Sequence, residues 1–150
     1  MKNKTLTKEL KLVEYMIKQD INKEKIISNL YKYIFKSNGK KMRAMLSLIA
    51  SSKKQNNNRI KLAAVIELLH TATLVHDDVV DDSPTRRGIK SVNKTWSNSH
   101  GVLIGDYIYS KAFIYMVDIG NNEILQELAN ATNDISQGEL IQLDAINNKE

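Results

Sequence analysis

The 150-residue sequence contains no cysteine, and it has only one proline, six glycines and one tryptophan. Without cysteine the chain has neither a disulfide nor a thiolate nucleophile. So little proline and glycine leaves room for long helices but for few tight turns. No apolar run approaches the roughly 18 residues that a membrane span needs, and charged residues interrupt the N-terminus before a signal-peptide core develops. We therefore expect a soluble, cytoplasmic protein with no membrane span.

The remaining composition is that of a globular domain, with 42% hydrophobic and 26% charged residues. A chain of this length buries about two-thirds of its unfolded surface on folding. The formal net charge of +5 is also found in nucleic-acid-binding domains. Here the basic residues are spread along the chain and aromatic residues do not interleave with them. We therefore expect an anionic small substrate and no nucleic acid.

Apolar residues recur at helical spacing along most of the chain, and no segment alternates with period two. This pattern predicts an all-α fold, an antiparallel helical bundle without a sheet. In the third helix we expect Met42, Met45, Leu46 and Ile49 to face inward. The predicted helices span residues 5–18, a second segment from a cap at Asp20 or Asn22 to a stop at 37–39, then 40–52, 59–80, 101–118 and 123–147, with a loop at 53–58.

Four of the six residues 77–82 are aspartates, and they lie at the end of an apolar run. At 3.6 residues per turn, His70, Asp77 and Asp81 lie within about 40° of one another on the helical wheel. Two carboxylates one turn apart repel each other unless a cation lies between them. Mg²⁺ fits, because it takes oxygen ligands from one or two carboxylates and from substrate phosphates. The alternative is a solvated acidic helix end, but acids at a helix C-terminus oppose the helix dipole.

Two clusters of basic residues accompany these acids. Arg86 and Arg87 follow the aspartates, and guanidinium groups bind phosphate through charge-assisted, often bidentate hydrogen bonds. Lys40 and Arg43 follow a glycine at the start of a predicted helix, where free N–H groups and the dipole attract anions. A solvated basic turn is the alternative for this second cluster. For His70, a hydrogen-bonded core histidine is the alternative to a ligand.

With these residues assembled, the sequence resembles the trans-isoprenyl diphosphate synthases, or polyprenyl synthetases, which are all-α enzymes that elongate prenyl chains. The resemblance is closest to the long-chain type that makes quinone side chains, of which the octaprenyl diphosphate synthases are examples. The family's first aspartate-rich motif, Asp-Asp-x-x-Asp followed by Arg-Arg-Gly, is matched by residues 77–81 and 86–88. Residues 38–44, 67–76, 102–107 and 137–143 resemble further family segments, with Lys41 and Ala44 in place of a family arginine and proline.

The resemblance implies an enzyme that adds isopentenyl diphosphate to an allylic prenyl diphosphate with the help of Mg²⁺. By the resemblance, Asp77 and Asp81 bind Mg²⁺ and Arg86 binds the allylic diphosphate. The residues implied for the diphosphate of isopentenyl diphosphate are Lys40, Arg43, His70 and Arg87. Ala72 and Thr73 occupy the positions where bulky family residues close the product tunnel. Because both are small, we expect an open tunnel and a long product.

The family's second aspartate-rich motif has no counterpart before Glu150. The resemblance therefore implies that residues 1–150 are the N-terminal portion of one polyprenyl synthetase domain. We expect uncovered apolar helix faces, little or no activity of the chain alone, and association as a homodimer or with a chain that carries the second motif. Two alternatives stay open: a non-catalytic or regulatory subunit of a heteromeric synthase, and, less favoured, a metal-dependent phosphohydrolase that uses His76 and Asp77.

Overall fold

The computed structural model describes residues 2–19, 24–36, 39–51 and 56–148. Within these ranges the chain forms seven helices and one short hairpin, which confirms the predicted all-α fold. The helices are α1 (Lys2–Lys18), α2 (Lys25–Ile34), α3 (Met42–Ala50), α4 (Asn57–Val80), α5 (Val92–Thr95), α6 (Asn98–Ile119) and α7 (Asn122–Asn147). None of the described helices combines the length and the apolar character that crossing a membrane requires.

Helix α4 is the central element and packs against α1, α3 and α6. Two glycines of α6 let it approach α4 closely. A Cβ atom at Gly101 would lie 2.6 Å from Val79 Cγ2, and a Cβ atom at Gly105 would overlap the His76 imidazole. The largest fully buried side chains of the core are Leu48, Leu68, Ile108, Val13 and Val65. The close approach at the two glycines holds the acidic end of α4 against α6.

The predicted inward face of the third helix is wrong. Met42, Leu46 and Ile49 are 50%, 60% and 52% exposed, whereas Ala44 and Leu48 are buried. Apolar residues occupy most of the circumference of this helix, so their spacing alone does not select a face. Packing against α1 and α4 selects Ala44 and Leu48.

Helix α3 also begins later than predicted, at Met42, because Lys41 adopts a left-handed conformation with φ 47°. Lys40 and Lys41 therefore precede the helix instead of opening it. Helix α2 begins after Glu24, and the predicted caps Asp20 and Asn22 lie outside the described residues. Residues 37–38 of the predicted stop and 53–55 of the predicted loop lie outside them as well.

The expected absence of a sheet is wrong for one short segment after α4. Strand β1 (Thr85–Arg86) pairs in antiparallel register with β2 (Ile89–Lys90). The turn between them consists of Arg87 and Gly88, which have φ angles of 51° and 80°. Two consecutive residues with positive φ match the twist of a two-residue hairpin. Strands of two residues are too short to show an alternating pattern in the sequence.

Uncovered apolar side chains extend along the last two helices, as the sequence led us to expect. Helix α7 contacts α6 but is largely exposed over its second half. The exposed large apolar residues of α6 and α7 are Val102, Leu103, Phe113, Ile114, Val117, Ile135, Leu140, Ile141, Leu143 and Ile146.

Candidate functional site

The four aspartates at the end of α4 divide into two kinds. Asp78 is buried and accepts hydrogen bonds from Arg86, and the exposed Asp82 accepts one from Lys94 at 2.6 Å. Among the described residues, no cationic side chain forms an ion pair with Asp77 or Asp81. These two uncompensated acids are the pair that the sequence assigns to a metal ion.

Asp77 and Asp81 lie one helical turn apart, since the Asp81 N–H donates to the Asp77 carbonyl oxygen at 2.8 Å. Burial raises the pKa of the Asp77 carboxyl, and the negative charge of Glu139 on α7 raises it further. Asp77 is half-buried and Asp81 is exposed. Two carboxylates one turn apart that form no ion pair fit Mg²⁺, which is commonly held by one or two carboxylates together with substrate phosphates. The described residues contain no group of three or more metal-ligating side chains. The pair offers carboxylate oxygens, and oxygen is the ligand atom that Mg²⁺ prefers.

Beside the acids, the structure brings together basic residues that are far apart in the sequence. Arg43 Nη1 lies 3.1 Å from His70 Nε2. A guanidinium only donates, so Nε2 accepts and the imidazole carries its proton on Nδ1. Burial lowers the pKa of His70, and the positive charge of Arg43 lowers it further. His70 is therefore a half-buried acceptor of the Arg43 guanidinium.

The hairpin turn adds Arg87 to the same cluster. A Cβ atom at Gly39 would lie 2.5 Å from Arg87 Nη1, so the missing side chain lets the guanidinium approach the backbone there. The positive charge of Arg87 also lowers the pKa of His70. Lys40 follows Gly39 and is exposed. Arg43 thus contacts His70, and the Arg87 guanidinium lies against the backbone at Gly39, while the role of these residues stays a prediction.

A cavity of about 80 Å³ adjoins Arg87, whereas Arg43 and His70 do not line it. Its polar wall includes Arg86 and Arg87, and its apolar wall includes Phe35, Val75 and Val92. An anionic group bound by the arginines would therefore have apolar space beside it, as a compound with a charged head and a hydrocarbon tail requires.

Comparison with known proteins identifies the family. A sequence model described as polyprenyl synthetase matches residues 24–150. The chain belongs to the polyprenyl synthetase family. The family resemblance seen in the sequence is thereby confirmed, and the phosphohydrolase alternative loses its support.

Relatives of this polyprenyl synthetase chain include the all-trans-nonaprenyl-diphosphate synthase (geranyl-diphosphate specific) of Rhodobacter capsulatus. It is 42% identical over 127 residues, which cover 83% of this chain and 39% of the relative. The octaprenyl diphosphate synthase of Escherichia coli (strain K12) is 36% identical over 148 residues, which cover 97% of this chain and 46% of the relative. The chain spans less than half the length of these relatives.

Solved structures show the same fold. The polyprenyl synthase of Caulobacter crescentus CB15, complexed with calcium and isoprenyl diphosphate, superposes with a TM-score of 0.89 at 34% identity. The decaprenyl diphosphate synthase of Rhodobacter capsulatus superposes with a TM-score of 0.87 at 37% identity. Each alignment covers 93% of this chain and 44% of the other.

The two positions of this polyprenyl synthetase chain assigned to product length differ in their surroundings. Ala72 is fully buried in the hydrophobic core. Thr73 is half-buried, and its hydroxyl donates to the His70 carbonyl oxygen at 2.8 Å. Thr73 is therefore the position from which a larger side chain extends most easily. Its effect on product length stays a prediction.

The sequence reasoning missed two buried polar residues that support the site. Asp78 binds Arg86, and Asn93 Nδ2 donates to the Asp78 carbonyl oxygen at 2.9 Å. Asp78 continues the buried stripe of Leu68 and Val75 along α4. A buried acid needs a cationic partner. The position of Asp78 on this apolar stripe could have indicated such a partner from the sequence.

Proposed function

We propose that this chain provides the aspartate- and arginine-bearing wall of a prenyltransferase site. The reaction adds isopentenyl diphosphate to an allylic prenyl diphosphate and yields a long-chain trans-polyprenyl diphosphate, a precursor of quinone side chains. One observation carries the proposal: Asp77 and Asp81, which form no ion pair among the described residues, lie one turn apart on the helix whose His70 contacts Arg43. The relatives named as nonaprenyl- and octaprenyl-diphosphate synthases support the substrate class.

In this proposal the basic groups bind the diphosphates of two substrates. Arg43 and Arg87 donate to the diphosphate of isopentenyl diphosphate, together with Lys40 and the Nδ1–H of His70. Arg86 faces the allylic diphosphate, with its guanidinium orientation fixed by Asp78. Holding both substrates side by side converts a bimolecular encounter into a reaction between oriented groups.

Chemistry begins with cleavage of the allylic C–O bond, whose electron pair leaves with the diphosphate. The double bond of isopentenyl diphosphate then attacks the allylic carbon. Transfer of a proton from the resulting cation to the released diphosphate restores a double bond. Mg²⁺ held by Asp77 and Asp81 would neutralise the departing diphosphate as a Lewis acid. Arg86 contributes preorganised donors where the negative charge develops. No protein nucleophile is needed.

The proposal also covers the product length, the association and the location of the protein. Small side chains at Ala72 and Thr73 favour a long product. The uncovered apolar faces of α6 and α7 favour association, either as a homodimer or with a chain that carries the second aspartate-rich motif. The cytoplasmic location expected from the sequence stays a prediction. A non-catalytic subunit of a heteromeric synthase is the second candidate.

Binding measurements test the proposal directly. We expect isopentenyl diphosphate to bind the wild-type chain in titration calorimetry and Arg43→Ala to weaken this binding about tenfold or more, a loss of about 1.4 kcal/mol. Lys61→Ala removes a cation of α4 that is paired with Asp118 and is the matched control. Equal affinity of wild type and Arg43→Ala would contradict the proposal.

The metal is tested by titrating Mn²⁺ in place of Mg²⁺ and recording the free ion by electron paramagnetic resonance. Asp81→Asn should weaken binding, whereas Asp82→Asn, whose acid is engaged by Lys94, should not. Incorporation of labelled isopentenyl diphosphate separates the two candidates. Turnover by the chain alone supports a catalytic unit, and turnover only after addition of a second chain supports the subunit.

A further inference from the structure

The basic residues of this chain are concentrated at its N-terminal end. Residues 1–43 contain twelve Lys and Arg against four Asp and Glu, whereas residues 44–150 contain ten against thirteen. The expectation that basic residues are spread along the chain is therefore wrong. A charge asymmetry of this size indicates a polyanionic surface as partner.

The fold increases the excess of positive charge on the surface of α1, because both acids of this helix are engaged in ion pairs. Glu9 binds the buried Arg59. Glu14 binds Lys18 at 2.6 Å and Lys41 at 3.1 Å. The outward side of α1 then presents lysines without an exposed acid among the described residues of the helix.

These lysines share one face, which we call the α1 basic face. On an ideal helical wheel Lys4, Lys8, Lys11, Tyr15 and Lys18 lie within about 80° of one another. The first three lysines are exposed, and Tyr15 is 59% exposed in their midst.

Leu12 lies at the edge of the α1 basic face and is 49% exposed. The face thus combines three free lysines with two apolar side chains that the core of the protein does not cover. Lysines attract anionic headgroups, while Leu and Tyr partition into the boundary between headgroups and acyl chains.

We propose that the α1 basic face docks the protein on an anionic phospholipid bilayer. A nucleic acid would also attract the lysines, but it offers Leu12 no apolar environment. The bilayer satisfies both kinds of side chain at once. The biological purpose rests on the proposed function, since a long polyprenyl product partitions into lipid. The docking itself needs no substrate.

Flotation with lipid vesicles tests the docking. The protein should float with vesicles of phosphatidylcholine and phosphatidylglycerol, and it should stay behind with vesicles of phosphatidylcholine alone. Each lysine near an anionic surface contributes about fivefold to the partition coefficient. The triple variant Lys4→Gln, Lys8→Gln, Lys11→Gln should therefore bind about a hundredfold more weakly.

Helix α2 offers a matched control. The exposed Lys25 and Lys32 of α2, with Lys36 in the turn that follows it, give the same loss of charge when changed to Gln. We refer to this variant as the α2 triple variant, and it should retain most of its vesicle binding. The double variant Leu12→Ser, Tyr15→Ser should weaken binding at unchanged net charge. All variants change exposed side chains, and circular dichroism verifies that their helix content is intact.

Three results would overturn the proposal. They are no flotation with anionic vesicles, equal losses in the α1 and α2 triple variants, and tighter α1-dependent binding to RNA than to vesicles. None of these results bears on the predicted binding of isopentenyl diphosphate to Arg43. The docking proposal can therefore be refuted while the proposed function stands, and the reverse also holds.

Discussion

The guanidinium of Arg86 donates hydrogen bonds to both oxygens of the buried Asp78 carboxylate. Arg86 Nε lies 2.8 and 2.9 Å from the two oxygens, and Nη2 lies 2.8 Å from Oδ1. The contact joins the hairpin to the end of α4. It orients an arginine for substrate and leaves Asp77 and Asp81 as the free acids of the motif.

Asp78→Asn should therefore destabilise the fold strongly. The change leaves a partly buried arginine without its anionic partner, so we expect the free energy of unfolding to fall by about 2–3 kcal/mol. Asp82→Asn makes the same substitution in an exposed pair with Lys94 and should cost about 0–1 kcal/mol. Urea unfolding of both variants checks the difference, and equal losses would show that burial of Asp78 does not matter.

His70 should make stability depend on pH. Burial and Arg43 hold the pKa of His70 below its usual value, so the unfolded chain takes up this proton at a higher pH than the folded one. Stability is then full above the unfolded pKa, near 6.5, and declines as pH falls towards the folded pKa.

Titration of the His70 ring signals by NMR checks the cause. Arg43→Gln removes the nearby positive charge and should raise the pKa of His70 towards its usual value, which flattens the loss of stability on acidification. A pKa of His70 that is unchanged in Arg43→Gln would contradict the assigned contact.

Gly105→Ala should loosen the packing of α6 on α4. The new methyl group would overlap the His76 imidazole, whose Nε2 lies 3.0 Å from the Val102 carbonyl oxygen. We expect a loss of about 1–3 kcal/mol. The control is Gly138→Ala in α7, where nothing lies within 4 Å of the new Cβ atom and a gain of about 0.5–1 kcal/mol is expected. Thermal or urea unfolding that gives both variants the same sign would refute the close approach.

Ala72→Phe and Thr73→Phe should behave differently, although both enlarge a position assigned to product length. Ala72 is fully buried, so a phenyl ring overpacks the core and lowers the free energy of unfolding by about 1–3 kcal/mol. Thr73 is half-buried and should tolerate the ring within about 1 kcal/mol. In an assembly that turns over, Thr73→Phe should shorten the product seen by chromatography. Unchanged product length would remove Thr73 from that role.

Some features were readable from residue spacing alone. The spacing of Asp77 and Asp81, for example, predicted a pair one turn apart. Other features were not readable. The face of α3 was misassigned because apolar residues surround that helix, and the hairpin at Arg87 was missed because its strands have two residues each.

The sequence by itself determined the helices, the acidic and basic clusters and the family, because each depends on residues that are near one another in the chain. Only the tertiary structure decided which acids stay free and which basic groups meet. Asp78 is neutralised because the hairpin folds Arg86 back onto it, and Arg43 meets His70 because α3 packs on α4. Such pairings depend on how helices pack, and a local periodicity carries no information about a partner on another element.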